Sequence, residues 1–161
     1  MTTNTKAMPD GYHSLTPAIT VGDAAKAIEF YKRAFAAQEK ERFLGPDGRI
    51  MHAEVKIGDS LLMMGEEMPQ MGCLSPLSLK GTPGSLYLYV EDVDAVFERA
   101  VQAGAQVQMP VADMFWGDRC GTLADPFGHK WSIATHKEDL TSEEIKRRGR
   151  IWMEKQKQPA S

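Results

Sequence analysis

The chain contains the same structural pattern twice. In each copy an alternating apolar segment leads into an aspartate suited to cap a helix, an amphipathic segment follows, and three further strand-like segments come after it. Val21 and Asp23 of the first copy match Val90 and Asp92 of the second at the same offset. Each copy is too small to bury a face of its own sheet, so the two copies must share a core or a cleft. The cleft between them is therefore the first place to look for function.

Each copy follows the predicted order β-α-β-β-β, and the copies occupy about residues 12–66 and 82–136. The stretch 65–84 is rich in Pro and Gly, has no clear period, and is predicted to connect them. An apolar content of 42% in 161 residues suits one globular domain. We expect an α+β fold in which two βαβββ modules with curved mixed sheets form a cleft within a single domain, residues 1–136.

A separate helix is predicted after the two modules. Residues 141–144 form a capping box, in which the threonine hydroxyl and the glutamate at the third helical position satisfy free backbone amides reciprocally. Ile145, Ile151 and Trp152 give this helix an apolar stripe. The segment 137–161 is therefore interpreted as a helical tail that packs on the body or on a partner subunit.

The overall composition narrows the range of partners and compartments. A net charge of −3 disfavours nucleic acid, since phosphate binding needs a clustered basic face. No apolar run approaches the about 20 residues that a membrane helix needs, and the N-terminus lacks the apolar core of a signal peptide. Cys73 and Cys120 stand in unlike contexts without a CxxC motif. We expect a cytoplasmic protein with neither a nucleic-acid nor a membrane partner.

Several motifs occur in the order and spacing of one known superfamily. They are VGD at 21–23 with AIEFY at 27–31, RIMHAE at 49–54 with IGDS at 57–60, VEDVDA at 90–95, and DPFGHKW at 125–131. In these motifs the chain resembles the vicinal oxygen chelate superfamily, also called the glyoxalase/bleomycin-resistance/dioxygenase fold, and is most similar to its PhnB-like branch. The resemblance covers about residues 12–136 and implies paired βαβββ modules.

The resemblance also implies where a metal would be held. In metal-dependent members four ligands come from equivalent points of the two modules, a histidine or another donor on each first strand and a glutamate on each fourth strand. Counting from the shared motifs places these points at Thr16, Leu62, Ser85 and Ser132. Leucine has no donor atom, and neutral hydroxyls hold divalent metals weakly. We expect no cofactor and no metal site of the usual kind.

A histidine and a glutamate form the first candidate site. His52 and Glu54 are two residues apart on a predicted strand, so both side chains point to the same face of the sheet. On a concave face they would form a polar pair in an apolar trough, with Glu54 orienting His52 as a base or as a ligand anchor. On an outward face they would be ordinary solvated residues. A metal held by this pair and a third donor such as His13 remains an alternative.

Two adjacent aromatic residues form the second candidate site. Phe115 and Trp116 lie in a long loop that is predicted after a strand at 105–109, where exposed aromatics are costly. They could form a wall on which a planar ligand stacks, while Arg119 orients a carboxylate or phosphate. The alternative is a plug that closes the open end of the sheet, with Asp118 and Arg119 as a local ion pair. Trp131 is expected to line the barrel or the core.

Three functions are compatible with these residues. The first is a homodimeric protein that binds an aromatic or cationic small molecule without a metal, in a site that draws on His52, Glu54, Phe115, Trp116, Arg119 and Trp131. The second is a metal-dependent lyase, isomerase or dioxygenase of the same superfamily, with a displaced site near His52 and Glu54. The third is an interaction protein whose C-terminal helix docks a partner. The sequence has no GxSxG, P-loop, HExxH or dinucleotide motif, and it does not decide whether the chain is an enzyme.

Overall fold

The computed structural model describes residues 5–157 and contains the two predicted modules in sequence order. The first module consists of β1 (Ala18–Val21), α1 (Ala24–Phe35), β2 (Gln38–Leu44), β3 (Ile50–Ile57) and β4 (Ser60–Glu66). The connector holds a single 3-10 turn at Pro69–Met71 and the short helix α2 (Pro76–Leu79). The second module consists of β5 (Ser85–Tyr89), α3 (Val93–Gln102), β6 (Gln106–Asp113), β7 (Asp118–Ala124) and β8 (Lys130–His136), and the helix α4 (Ser142–Gln156) follows it.

Each module forms a four-stranded mixed sheet with the same topology. The strand orders are β1-β4-β3-β2 and β5-β8-β7-β6. The first strand of each module pairs in parallel with its last strand, and the other pairs are antiparallel. Asp23 and Asp92 cap α1 and α3 through side-chain oxygens that accept from backbone amides, as the repeat predicts. The α+β fold with two βαβββ modules is therefore confirmed.

The helical sides of the two modules share one hydrophobic core. Helices α1 and α3 contact each other, and each packs on its own sheet. Tyr31 of α1 donates a 2.7 Å hydrogen bond to Oδ2 of Asp125, and the indole of Trp131 donates to the same oxygen at 2.9 Å. The ring of Trp131 also lies 4.6 Å from that of Phe35, centroid to centroid. Burial of large side chains like these is worth roughly 1.5–3 kcal/mol each. The core that they form covers the helical faces of both sheets.

The opposite face of each sheet carries no helix of its own module. Along β3, Ala53 and Val55 point into the core, so His52 and Glu54 point to the uncovered face. Along β5, Leu86 and Leu88 pack against the core, which leaves the alternate residues on the uncovered face. No helix within residues 5–157 has the length and apolar character needed to cross a membrane. The uncovered faces are the surfaces available for a binding site.

One predicted boundary is wrong, and the error affects the second candidate site. Strand β6 continues to Asp113 instead of ending at Met109, because register shifts between Val107 and Ala112 interrupt its alternation without ending its pairing with β7. The expected long loop is therefore a tight hairpin. In this hairpin the amide of Met114 donates to the carbonyl of Asp118 at 2.7 Å.

Candidate functional site

The candidate site is a groove between the two modules. Strands β1 and β5 are the edge strands of their sheets, and a groove of about 670 Å³ runs between β5 and the turn that joins β3 to β4. Leu61 and Leu62 line it from the first module, and Tyr87 and Tyr89 line it from the second. Small-molecule sites are typically concave, mostly apolar, and about 300–1,000 Å³ in volume. The groove has the size and lining of such a site.

A buried carboxylate organises the second module's side of the groove. Asp118 begins β7 and is only 4% exposed. Its Oδ2 accepts hydrogen bonds from the hydroxyls of Tyr89 (2.9 Å) and Tyr87 (3.2 Å) and from the indole of Trp116 (3.1 Å), while its Oδ1 is 2.8 Å from Nδ1 of His136. We refer to these five residues as the Asp118 cluster. One carboxylate thus holds three aromatic side chains and a histidine in place.

Backbone geometry brings the Asp118 cluster together. The β7–β8 ladder places His136 opposite Asp118. The parallel β5–β8 pairing sets Tyr87 and Tyr89 on the same face of the adjacent strand, with ring centroids 5.1 Å apart. Trp116 reaches the same carboxylate from the β6–β7 hairpin. The cluster therefore combines the edge strand of the sheet with the end of a hairpin.

Hydrogen bonding decides the charge state of the cluster. Burial alone would raise the pKa of Asp118, but the hydrogen bonds from His136, Tyr89, Trp116 and Tyr87 outweigh it and hold that pKa below its usual value. The same contact with Asp118, supported by Asp139, raises the pKa of His136. Burial raises the pKa of Tyr87, and the hydrogen bond to Asp118 raises that of Tyr89. At neutral pH the cluster therefore holds an ionised carboxylate and two neutral phenols.

His52 and Glu54 form a second polar set on the first module's uncovered face. Nε2 of His52 lies 3.0 Å from Oε1 of Glu54, and the hydroxyl of Tyr12 donates to Oε2 at 2.5 Å. Glu54 is 7% exposed, and the hydrogen bond from Tyr12 is the main reason that its pKa lies below the usual value. The spacing argument predicted the shared face correctly. The set is nevertheless closed on itself, since each carboxylate oxygen already has a partner.

Of the other predicted site residues, Trp131 borders the groove and Trp116 joins the Asp118 cluster, while Phe115 and Arg119 lie outside the groove. Phe115 packs against α4, with its ring centroid 5.7 Å from that of Trp152. Arg119 follows Asp118 on β7 and points to the opposite face, where it pairs with Asp94 and Asp113 instead of Asp118. Trp131 is buried in the core and presents little surface to a ligand.

Sequence reasoning missed Tyr87 and Tyr89. Their exposed fractions are 47% and 60%, which is high for large aromatic side chains on a strand. The signal was present in the alternation of β5, where Leu86 and Leu88 mark the core face and the two tyrosines mark the other. The repeat alone accounts for the position of this segment in the module and does not indicate what its second face carries.

The positions expected to hold a metal do not carry suitable donors. The Thr16 hydroxyl donates to the carbonyl of His13, and Leu62 is buried on the core side of β4, so the uncovered face there presents Leu61 and Met63. On the second module, the Ser132 hydroxyl lies 3.4 Å from that of Thr122. Such side chains do not fit a divalent cation that prefers imidazole and carboxylate. Within residues 5–157, no group of three or more His, Cys, Asp or Glu side chains could hold a metal ion.

Comparisons with known proteins identify relatives of this chain. The sequence profile of the Glyoxalase/Bleomycin resistance protein/Dioxygenase superfamily matches residues 13–133. An uncharacterized protein of Mycobacterium bovis is 45% identical over 135 residues, which are 82% of this chain and 89% of that protein. The profile match thus spans both modules, from before β1 into β8.

Solved structures agree with this match at the level of the fold. The PhnB protein of Bacillus cereus is 18% identical and has a TM-score of 0.60, covering 76% of this chain and 99% of its own. TnmS3, an antibiotic binding protein from Streptomyces sp. CB03234, is 24% identical with a TM-score of 0.60, covering 83% of this chain and 100% of its own. These two likenesses establish the fold alone. The profile match over both modules shows that the chain belongs to the Glyoxalase/Bleomycin resistance protein/Dioxygenase superfamily.

Proposed function

We propose that this protein binds a small organic molecule in the groove between its two modules and does so without the divalent metal of its superfamily. The observation that carries the proposal is the pair of exposed tyrosine rings, Tyr87 and Tyr89, which the buried carboxylate of Asp118 holds in the wall of the groove. An apolar groove with a few oriented polar groups is the usual form of a small-molecule site.

The arrangement of the tyrosines supports binding of a ligand with an aromatic or apolar part. Both hydroxyls are tied to one oxygen of Asp118, so the rings are already positioned when no ligand is present. A ring fixed beforehand loses little conformational freedom when a ligand contacts it, which lowers the entropic cost of binding. Exposed aromatic faces also gain from offset or edge-on contact with a planar ligand.

The chemistry of the four expected ligand positions supports metal-free binding. Two hydroxyls of serine, one of threonine and a core leucine supply neither imidazole nor carboxylate. Among the proteins that share this fold, TnmS3 is an antibiotic binding protein. The proposal rests on the groove and its residues.

The proposal includes a homodimer and a location in the cytoplasm. Helix α4 exposes three successive large apolar residues, Ile151, Trp152 and Met153, close to the β6–β7 hairpin. Burial of this end of the helix between two copies would support a homodimer. Cys73 and Cys120 are both free thiols, which suits the cytoplasm.

The test is titration of the purified protein with the neutral planar dye Nile red, followed by fluorescence, together with metal analysis by mass spectrometry. We expect saturable binding of one dye per chain, unaffected by EDTA, in protein that contains far less than one metal ion per chain. Ser85→Trp, which places an indole in the groove, is expected to weaken dye binding at least tenfold.

Gln102→Trp is the matched control, because it adds the same side chain to an exposed position of α3 outside the groove. Equal dye binding by the two variants would refute the groove as the site. A stoichiometric metal whose removal abolishes dye binding would refute metal-free binding. Loss of that metal in both His52→Ala and Glu54→Ala would establish the displaced metal site instead.

A further inference from the structure

The hydrogen-bond directions in the Asp118 cluster restrict what the tyrosines can offer a ligand. Each hydroxyl has one proton, and Tyr87 and Tyr89 both donate theirs to Oδ2 of Asp118. Trp116 donates its indole N–H to the same atom. The two phenol oxygens therefore keep only lone pairs for a ligand, and a neighbouring carboxylate makes these oxygens stronger acceptors. A ligand group that donates hydrogen bonds or carries positive charge is favoured here.

The aromatic faces favour the same kind of ligand. The rings of Tyr87 and Tyr89 are 5.1 Å apart between centroids and inclined at 46°, so they contact each other and together form one aromatic surface. Their edges are directed to the anionic carboxylate, and their exposed faces present the negative side of the ring quadrupole. Faces of this kind attract ammonium groups, and aromatic cages that bind quaternary ammonium ligands use the same attraction.

The charges around the groove agree with a cationic ligand. Among the described residues that line the groove, Asp59 is the one with an acidic side chain, and none is lysine or arginine. A neighbouring groove of about 880 Å³, which also has Tyr89 in its lining, contains Lys56 and Arg99 against the one acidic residue Glu91, so it is less favourable for a cation. His136 contacts the carboxylates of both Asp118 and Asp139, so two negative charges offset any positive charge on its ring. The side of Tyr89 that faces the first groove is thus the more favourable one for positive charge.

We propose that Tyr87 and Tyr89, backed by the buried carboxylate of Asp118, form a subsite for a substituted ammonium group of the ligand. This inference rests on the proposed small-molecule function and names the chemical class that the groove takes. Binding requires no covalent step. The ammonium group contacts the ring faces, and any N–H that it carries donates to a phenol oxygen.

The test compares two probes of the same shape, choline and its uncharged analogue 3,3-dimethylbutan-1-ol, by following amide shifts in ¹H–¹⁵N spectra. We expect choline to bind about two- to thirtyfold more tightly than the alcohol, the range that cation–π contacts support. The double variant Tyr87→Leu/Tyr89→Leu keeps an apolar surface and is expected to remove this preference. Both tyrosines are exposed, so the variant leaves the core intact.

Two further variants make the result specific. Asp118→Asn removes the negative charge but keeps an acceptor, and it is expected to reduce the preference for choline over the alcohol. Phe43→Leu is the matched control, because it removes an aromatic side chain that is equally exposed, on β2 of the first module. It should leave both affinities as they are.

The outcomes separate this inference from the proposed function. Equal affinity for the two probes, or a preference for choline that survives loss of both tyrosines, overturns the ammonium subsite even when Nile red still binds in the groove. Failure of Nile red to bind, with choline still preferred and dependent on the tyrosines, refutes the proposed aromatic binding and leaves the ammonium subsite standing.

Discussion

Truncation of Asp118 to alanine is expected to lower the free energy of unfolding by about 3 kcal/mol. The two tyrosine hydroxyls regain water after truncation, so each lost bond costs about 0.5 kcal/mol. Loss of the hydrogen bond from Trp116, which is part-buried, costs about 1–1.5 kcal/mol. Loss of the contact between His136 and the charged carboxylate costs about 1–1.5 kcal/mol as well. Relief of the buried carboxylate offsets part of these losses, which leaves a net cost of about 3 kcal/mol. It corresponds to a fall in Tm of about 6–12 °C for a chain of this size.

The pH dependence gives this prediction a second signature. The pKa of Asp118 is lowered, so its stabilisation is present above the unfolded value of about 3.9 and is lost as the pH falls through the folded value. The pKa of His136 is raised, so its stabilisation is complete below about 6.5 and is lost as the pH rises through the folded value. The stability difference between the wild type and Asp118→Asn is therefore expected to be widest between about pH 4 and 6.5.

The assay is urea unfolding monitored by circular dichroism across this pH range. Asp94→Ala is the matched control, because the ion pair that Asp94 of α3 makes with Arg119, the neighbour of Asp118, is accessible to solvent and its loss should change stability little. A destabilisation by Asp118→Ala below about 1 kcal/mol, or a difference between the wild type and Asp118→Asn that does not vary with pH, would refute the reasoning. Either result would mean that water replaces these hydrogen bonds without loss.

Three shorter predictions concern the hairpin, the first module and the C-terminal helix. Gly117→Ala is expected to destabilise the fold by at least about 1 kcal/mol in thermal unfolding, because Gly117 has φ +100° and a Cβ there would lie 2.5 Å from the carbonyl oxygen of Glu138; an unchanged Tm would contradict it. Tyr12→Phe should raise the pKa of Glu54 towards its usual value in a carboxyl-resolved NMR titration, and an unshifted pKa would show that the hydrogen bond has no such effect. Ending the chain at Leu140 should convert a dimer to a monomer in sedimentation with the two modules still folded; an unchanged mass would place the dimer interface elsewhere.

The sequence predicted the modules well because their signals are local. Asp23 and Asp92 each combine a helix cap with a following apolar period, and these features depend on neighbours within one turn of helix. The same holds for His52 and Glu54, whose shared face follows from strand geometry alone. These predictions each depended on a single helix or strand, and they agreed with the structure.

The candidate site was harder to predict because it depends on which face of each sheet the helices cover. Adjacent residues of a strand point to opposite faces, so Asp118 joins the site while Arg119 pairs with Asp94 on the other side. Counting from the shared motifs likewise gave Leu62 as a ligand position without showing which face its side chain takes, and the structure places that side chain in the core. No local pattern in β7 or β4 distinguishes the two faces before the helices are in place.

The contacts of Tyr31 and Trp131 across the modules have a consequence for synthesis of the chain. The hydroxyl of Tyr31 finds its partner, Asp125, 94 residues later in the sequence. While the chain emerges from the ribosome, the first module is complete long before this partner and the indole of Trp131 exist. The part of α1 that contacts the second module, which includes Tyr31 and Phe35, must therefore stay uncovered until that module has been made, and a partly folded chain with exposed apolar surface is prone to aggregation. A chaperone that holds the nascent first module would meet this surface before the second module covers it.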